Sequence, residues 1–90
     1  MATLKLFGLL RRELATAALA TDAATVGEAL NEARARFGAA FSAHVFGSDG
    51  ALSPGVILLV DGRNVLFLQG LATPLEAASE VHLFPPSAGG

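Results

Sequence analysis

Ninety residues, 52% of them apolar and together carrying a net charge of −2, make one domain near the lower limit for a self-sufficient hydrophobic core. Cysteine is absent and the two histidines lie far apart, which excludes disulfides, thiolate nucleophiles and the usual metal clusters. The few Lys and Arg residues form no basic stripe for nucleic acid, and Arg11, Arg12, Glu13, Asp22 and Glu28 interrupt every run approaching the ~18 apolar residues of a membrane span.

Along the chain, Thr3 to Leu10 mixes β-branched, aromatic and leucine residues and predicts an opening strand. Lys5 is followed by too short an apolar stretch for a signal peptide, so a cytoplasmic location is expected. Arg11-Arg12-Glu13-Leu14 marks the exit from that strand as a helical turn. Thr16–Ala24 is the candidate for a second strand, although its alanines contribute little β-propensity. Thr25-Val26-Gly27-Glu28 has capping-box spacing. Behind it Val26, Leu30, Ala33 and Phe37 share one helical face, and Gly38 follows as a natural stop. Twelve residues are too few to hold a helix alone, so this one must pack on a sheet.

Ala39 to Gly55 reads as an irregular connector, with turn signals at Gly47–Gly50 and Ser53-Pro54-Gly55. Val56–Val60 is a continuous apolar run, predicted as a strand buried on both faces. Asp61-Gly62 predicts a hairpin turn, with Val65–Leu68 as the return strand. Glu80–Phe84 is the last strand, stopped by Pro85-Pro86 because proline donates nothing to a ladder. Two strand groups around one helix give an α+β domain over 1–84 with a flexible tail over 85–90. The first and last strands are expected to pair parallel in the middle of a mixed sheet.

The tail is the candidate for chemistry, the alternative being a frayed end of small residues that carries nothing. Pro85-Pro86-Ser87-Ala88-Gly89-Gly90 ends on two residues without Cβ, which can thread a channel that branched side chains would block. A main-chain carboxylate on Gly90 is ionised at neutral pH and able to attack the α-phosphate of ATP. Phe84 alternates with the inward pair Val81 and Leu83, which favours it as a contact beside the tail. Phe7 and Leu59 are candidates to extend that patch, with ordinary burial as the simpler fate for each. Arg11, Arg12 and His82 are expected to be solvated, and Asp61-Gly62 to be turn chemistry only.

Val60-Asp61-Gly62-Arg63-Asn64-Val65, Leu75 and the ending Phe84-Pro85-Pro86-Ser87-Ala88-Gly89-Gly90 together resemble the small sulfur-carrier subunit of molybdopterin synthase. Arg11-Arg12-Glu13-Leu14 and the Thr25–Leu30 helix entry extend the likeness over essentially the whole chain. Ala78-Ser79 departs from it, since the family often has Gly-Asp there, and a turn of a different type is expected. The resemblance implies a ubiquitin-like β-grasp fold and a protein that is not an enzyme on its own. It also implies that an adenylating, E1-like enzyme activates Gly90 with Mg-ATP and a sulfur donor converts it to a thiocarboxylate. The large catalytic subunit of the synthase would then receive the tail, with Phe84, Pro85, Pro86, Phe7 and Leu59 at the contact. No tightly bound cofactor, nucleic acid or membrane enters this scheme. Alternatives keep the carrier and change the recipient (thiazole, tRNA uridine or cysteine synthesis), make the chain a ubiquitin-like modifier of lysines, or reduce it to a plain interaction domain.

Overall fold

The computed structural model describes residues 1–86. Strand β1, Ala2–Leu6, buries Ala2, Leu4 and Leu6 and turns Thr3 and Lys5 outward. It is shorter than the predicted Thr3–Leu10. Gly8 has φ 64°, outside the strand region, and the chain turns there into helix α1, Gly8–Leu14. Leu9 and Leu10 therefore belong to the helix, and Leu10 drops into the core. The α1 stop is Ala15 at φ 50°, whose N–H bonds back to the carbonyls of Arg11 and Arg12. Strand β2, Ala18–Thr21, lies inside the weakly marked segment and pairs antiparallel with β1. Its alanines face out while Leu19 and Thr21 face in.

Helix α2, Val26–Phe37, has the predicted bounds. The Thr25 hydroxyl accepts the Glu28 N–H at 3.2 Å, while the Glu28 carboxylate accepts the N–H of Ala24 at 3.1 Å, one residue earlier than a capping box places it. Val26, Ala29, Leu30 and Ala33 are buried and Phe37 packs at the core's edge. The connector is not irregular throughout. Gly38, at φ 62°, opens a second turn of direction into helix α3, Ala39–Val45. Phe41 and Val45, four residues apart on one face, are both fully buried there. A single pair at that spacing is a faint signal in seven residues.

Strand β3, Ile57–Val60, alternates rather than burying both faces: Leu58 and Val60 point in, while Ile57 is 45% exposed. Asp61 and Gly62 both have positive φ, 49° and 86°, as a two-residue hairpin of the primed kind requires. The return strand β4 is only Arg63–Asn64, not Val65–Leu68. The Asn64 side chain accepts the Leu66 N–H at 2.9 Å and starts a 3-10 turn over Val65–Phe67. That turn buries Val65 and leaves Leu66 and Phe67 exposed. A second 3-10 turn, Gly70–Ala72, leads to Thr73, whose carbonyl accepts the first amide of α2.

Strand β5, Glu80–Phe84, has the predicted bounds and lies in the centre of the sheet order β2-β1-β5-β3-β4. It runs parallel to β1 and antiparallel to β3. The turn before it uses no positive φ at Ala78 or Ser79. Instead the Ser79 hydroxyl accepts the Glu76 N–H at 2.9 Å, and the Ser79 N–H donates to the Glu76 carbonyl. That is the different turn type the sequence departure implied. The helices and the inward residues Leu4, Leu6, Leu58, Val81 and Leu83 enclose the core on one face of the sheet. The other face is left to the outward residues.

Candidate functional site

Register sets what stands together on that outer face. Leu59 pairs with His82, which pairs with Lys5; Ile57 pairs with Phe84. Phe7 follows β1 in extended conformation and donates its N–H to the Leu83 carbonyl at 3.1 Å, which holds it beside the end of β5. Its ring stacks on Phe84 with centroids 4.5 Å apart and planes 12° from parallel. The His82 ring lies 5.3 Å from the Phe7 ring, tilted by 57°. The result is an apolar row, Phe7–Phe84–Ile57, running across three strands at the end where β5 leaves the sheet. Leu59 stands one row back. Such partly exposed aromatic and aliphatic side chains gain most when a partner removes them from water.

Behind the apolar row the face becomes charged. Glu80 accepts from Lys5 at 3.2 Å, and His82 Nε2 lies 3.2 Å from the same carboxylate oxygen. Hydrogen bonding from His82, then from Lys5, holds the Glu80 carboxyl below its ordinary value near 4.5. The carboxylate form is therefore favoured.

Pro85 and Pro86 follow directly and are half-buried. The Pro85 ring lies 3.6 Å from where a side chain on Gly8 would begin, and Pro86 lies 3.4 Å from the equivalent point on Gly55. Gly89 and Gly90, the predicted reactive end, lie outside the described residues. Of the predicted contact residues, Phe84, Phe7 and Leu59 share the outer face, and Pro85 and Pro86 adjoin its apolar edge. Ile57 joins them although the continuous apolar run Val56–Val60 predicts burial on both faces; its alternation with Leu58 and Val60 is the signal the sequence offers. Sequence reasoning does not single out Gly8 or Gly55.

Arg11 and Arg12 are exposed on α1. His44 contacts Glu13 and so links α3 to α1. Among the described residues no group of three His, Asp or Glu side chains could hold a metal ion, and no helix is long and apolar enough to cross a membrane. A cleft of about 630 Å³ lies near the Asp61-Gly62 turn, lined by residues including Arg63, Gln69, Thr73 and Ser79. It stands at the opposite end of β5 from the apolar row.

Known proteins share this architecture. The profile of the ThiS family matches residues 4–90. The small archaeal modifier protein 3 of Haloferax volcanii is 39% identical over 69 residues, covering 77% of this chain and 73% of that one. The crystal structure of SAMP1 from the same organism superposes with a TM-score of 0.84 at 32% identity, covering 99% of this chain and 98% of that chain. A putative molybdopterin converting factor, subunit 1, from Pyrococcus furiosus reaches a TM-score of 0.68 at 24% identity, over 96% and 97% of the two chains. The fold is the ubiquitin-like β-grasp.

Proposed function

The chain belongs to the ThiS family of ubiquitin-like sulfur carriers, and on that premise we propose that its chemistry resides on the Gly90 carboxylate and its delivery on the outer sheet face. A carboxylate is a poor electrophile until one oxygen becomes a leaving group. The Gly90 oxygen attacks the α-phosphate of Mg-ATP in an adenylating enzyme, and pyrophosphate leaves. A sulfur nucleophile then attacks the acyl carbon, AMP leaves, and a thiocarboxylate remains. The side chains of this chain take no part in these bond changes, so its task is to dock and to present the tail. The observation that carries this reading is the Phe7–Phe84–Ile57 row placed at the root of a tail that ends in Gly89-Gly90.

The recipient we propose is the pyranopterin precursor in the large subunit of molybdopterin synthase, on the strength of the Phe84-Pro85-Pro86 ending. A cytoplasmic site of action goes with it. A second reading has a specific observation behind it: the relative that is 39% identical is named a modifier protein. In that reading the acyl-adenylate is attacked by a lysine amine of another protein instead of by sulfur, and an isopeptide bond forms. Mass spectrometry separates the two. Incubation with an adenylating enzyme of the same organism, Mg-ATP and a sulfur donor should exchange one oxygen for sulfur on the C-terminal peptide. Reconstitution with the large synthase subunit and precursor should then yield molybdopterin. A chain that is never adenylated refutes both readings; one that is adenylated but recovered only in isopeptide linkage, without sulfur, supports the second.

A further inference from the structure

The path of the tail begins with sheet order. Because β5 is central, its end is flanked by the end of the parallel strand β1 and the start of the antiparallel strand β3. Gly8 lies just past the one and Gly55 just before the other. Both have positive φ, 64° and 91°, a region that disfavours side chains. Each meets one of the two consecutive prolines: Pro85 Cγ at 3.6 Å and Pro86 Cβ at 3.4 Å from the point where a Cβ would stand. A methyl group at either glycine would already be in van der Waals contact with the ring, so a larger side chain, strained by the positive φ as well, would crowd it. Two loops, separated by most of the chain, thus leave seats for two adjacent rings.

We infer that Gly8 and Gly55 are positioning residues that seat Pro85 and Pro86 and thereby fix the tail's origin at Pro86 instead of Phe84. The inference rests on the carrier reading above and adds a length to it. From Phe84, six residues would span about 20 Å; from Pro86, four residues span at most about 14 Å, at ~3.3–3.6 Å each. The seats act as a gauge. A partner served by this chain has its reacting group within about 14 Å of the surface against which the prolines sit. Seating also removes the rotational freedom of two residues before docking, which otherwise would be lost on insertion.

Length and seating can be set against each other. The readout is ATP–pyrophosphate exchange by the adenylating enzyme of the same organism, which needs Gly90 to reach the α-phosphate. Deleting Ser87 should slow exchange at least about a hundredfold, because the carboxylate falls short of its place. Releasing the seats in that shortened chain, by Pro85→Ser with Pro86→Ser or separately by Gly55→Val, should restore exchange about tenfold, since up to two residues of slack become available. The same release in the full-length chain should slow exchange roughly tenfold, from the freedom regained. A general structural weakening would slow both backgrounds and rescue neither. Nuclear Overhauser contacts from Gly8 Hα to Pro85 and from Gly55 Hα to Pro86 should be present in the wild-type chain. They should be lost in the released variants while the core pattern stays. Wild-type contacts that are missing, or a shortened chain that release does not rescue, would overturn the seat. If the full-length chain supports no exchange at all, the carrier reading fails, and the Overhauser contacts alone then decide whether the prolines are seated.

Discussion

Phe84→Ala separates docking from folding at the residue where the two are most entangled. Phe84 lies on the outer face, stacked on Phe7 and in register with Ile57, while its neighbour Leu83 is fully buried on the other face. Truncation therefore opens no interior cavity. The cost to the fold is the stacked pair, about 1 kcal/mol, which in a domain of this size lowers Tm by about 4–8 °C. For docking, a partly exposed aromatic at the centre of a contact behaves as a hot spot of about 2 kcal/mol, or about 30-fold in Kd. Circular dichroism melts and titration calorimetry against the adenylating enzyme measure the two separately. Ile57→Ala provides the control. It is 45% exposed and outside the stack, so it should weaken binding with stability changed by under about 0.5 kcal/mol, or Tm by at most about 2–4 °C. If Phe84→Ala leaves Kd unchanged while Tm falls as far as for a core truncation, Phe84 is part of the core and the docking face lies elsewhere.

Leu30→Ala should cost about 2–5 kcal/mol in urea unfolding, because Leu30 has no exposed surface. Phe67→Ala removes a larger side chain that is 86% exposed, and should change stability by less than about 0.5 kcal/mol. Deleting Gly90, or adding one residue after it, should abolish charging in the mass-spectrometric assay without moving Tm, and Gly89→Val should slow transfer through steric conflict. Glu80 has a lowered folded-state pKa, so its contribution is complete above its ordinary value near 4.5 and is lost as pH falls through the lower folded value. The Tm gap between wild type and Glu80→Gln should therefore close on acidification below 4.5; a gap that widened would refute the His82 and Lys5 contacts as its cause.

What could be read in advance follows the strength of local chemistry. Helix α2 has a cap, a period and a glycine stop, and its bounds were legible to the residue. Strand β5 was equally legible, since Pro85-Pro86 ends it by removing donors. Failures came where one residue's backbone angle overrides composition. Leu9 and Leu10 look like strand continuation, yet Gly8 at φ 64° diverts them into α1. Val65–Leu68 looks like a return strand, yet the Asn64 side chain captures the Leu66 amide and bends the chain. Helix α3 was hidden because its apolar face shows only Phe41 and Val45. Within the site, Phe84 was legible from alternation with Val81 and Leu83. Phe7 was a candidate and Ile57 had an alternation signal, but their placement on either side of Phe84 depends on register between strands far apart in sequence, which no local pattern encodes.

Central placement of β5 ties the proposed docking face to the root of the tail. A tail leaving an edge strand would have one flanking loop, and partner contact on the sheet would sit to one side of it. Leaving from the centre, the chain passes between the β1 end and the β3 start, so Phe7 and Ile57 stand on either side of Phe84 and Gly8 and Gly55 on either side of the prolines. Any partner that covers the apolar row thus receives the tail root at a known point. Any pull on the tail would act on a strand paired along both edges, with Thr3 to Leu6 on one side and Ile57 to Val60 on the other. The load is shared across two ladders and is carried into the core by Val81 and Leu83. In the proposed carrier reading, docking and delivery can therefore be strengthened together without loosening the fold.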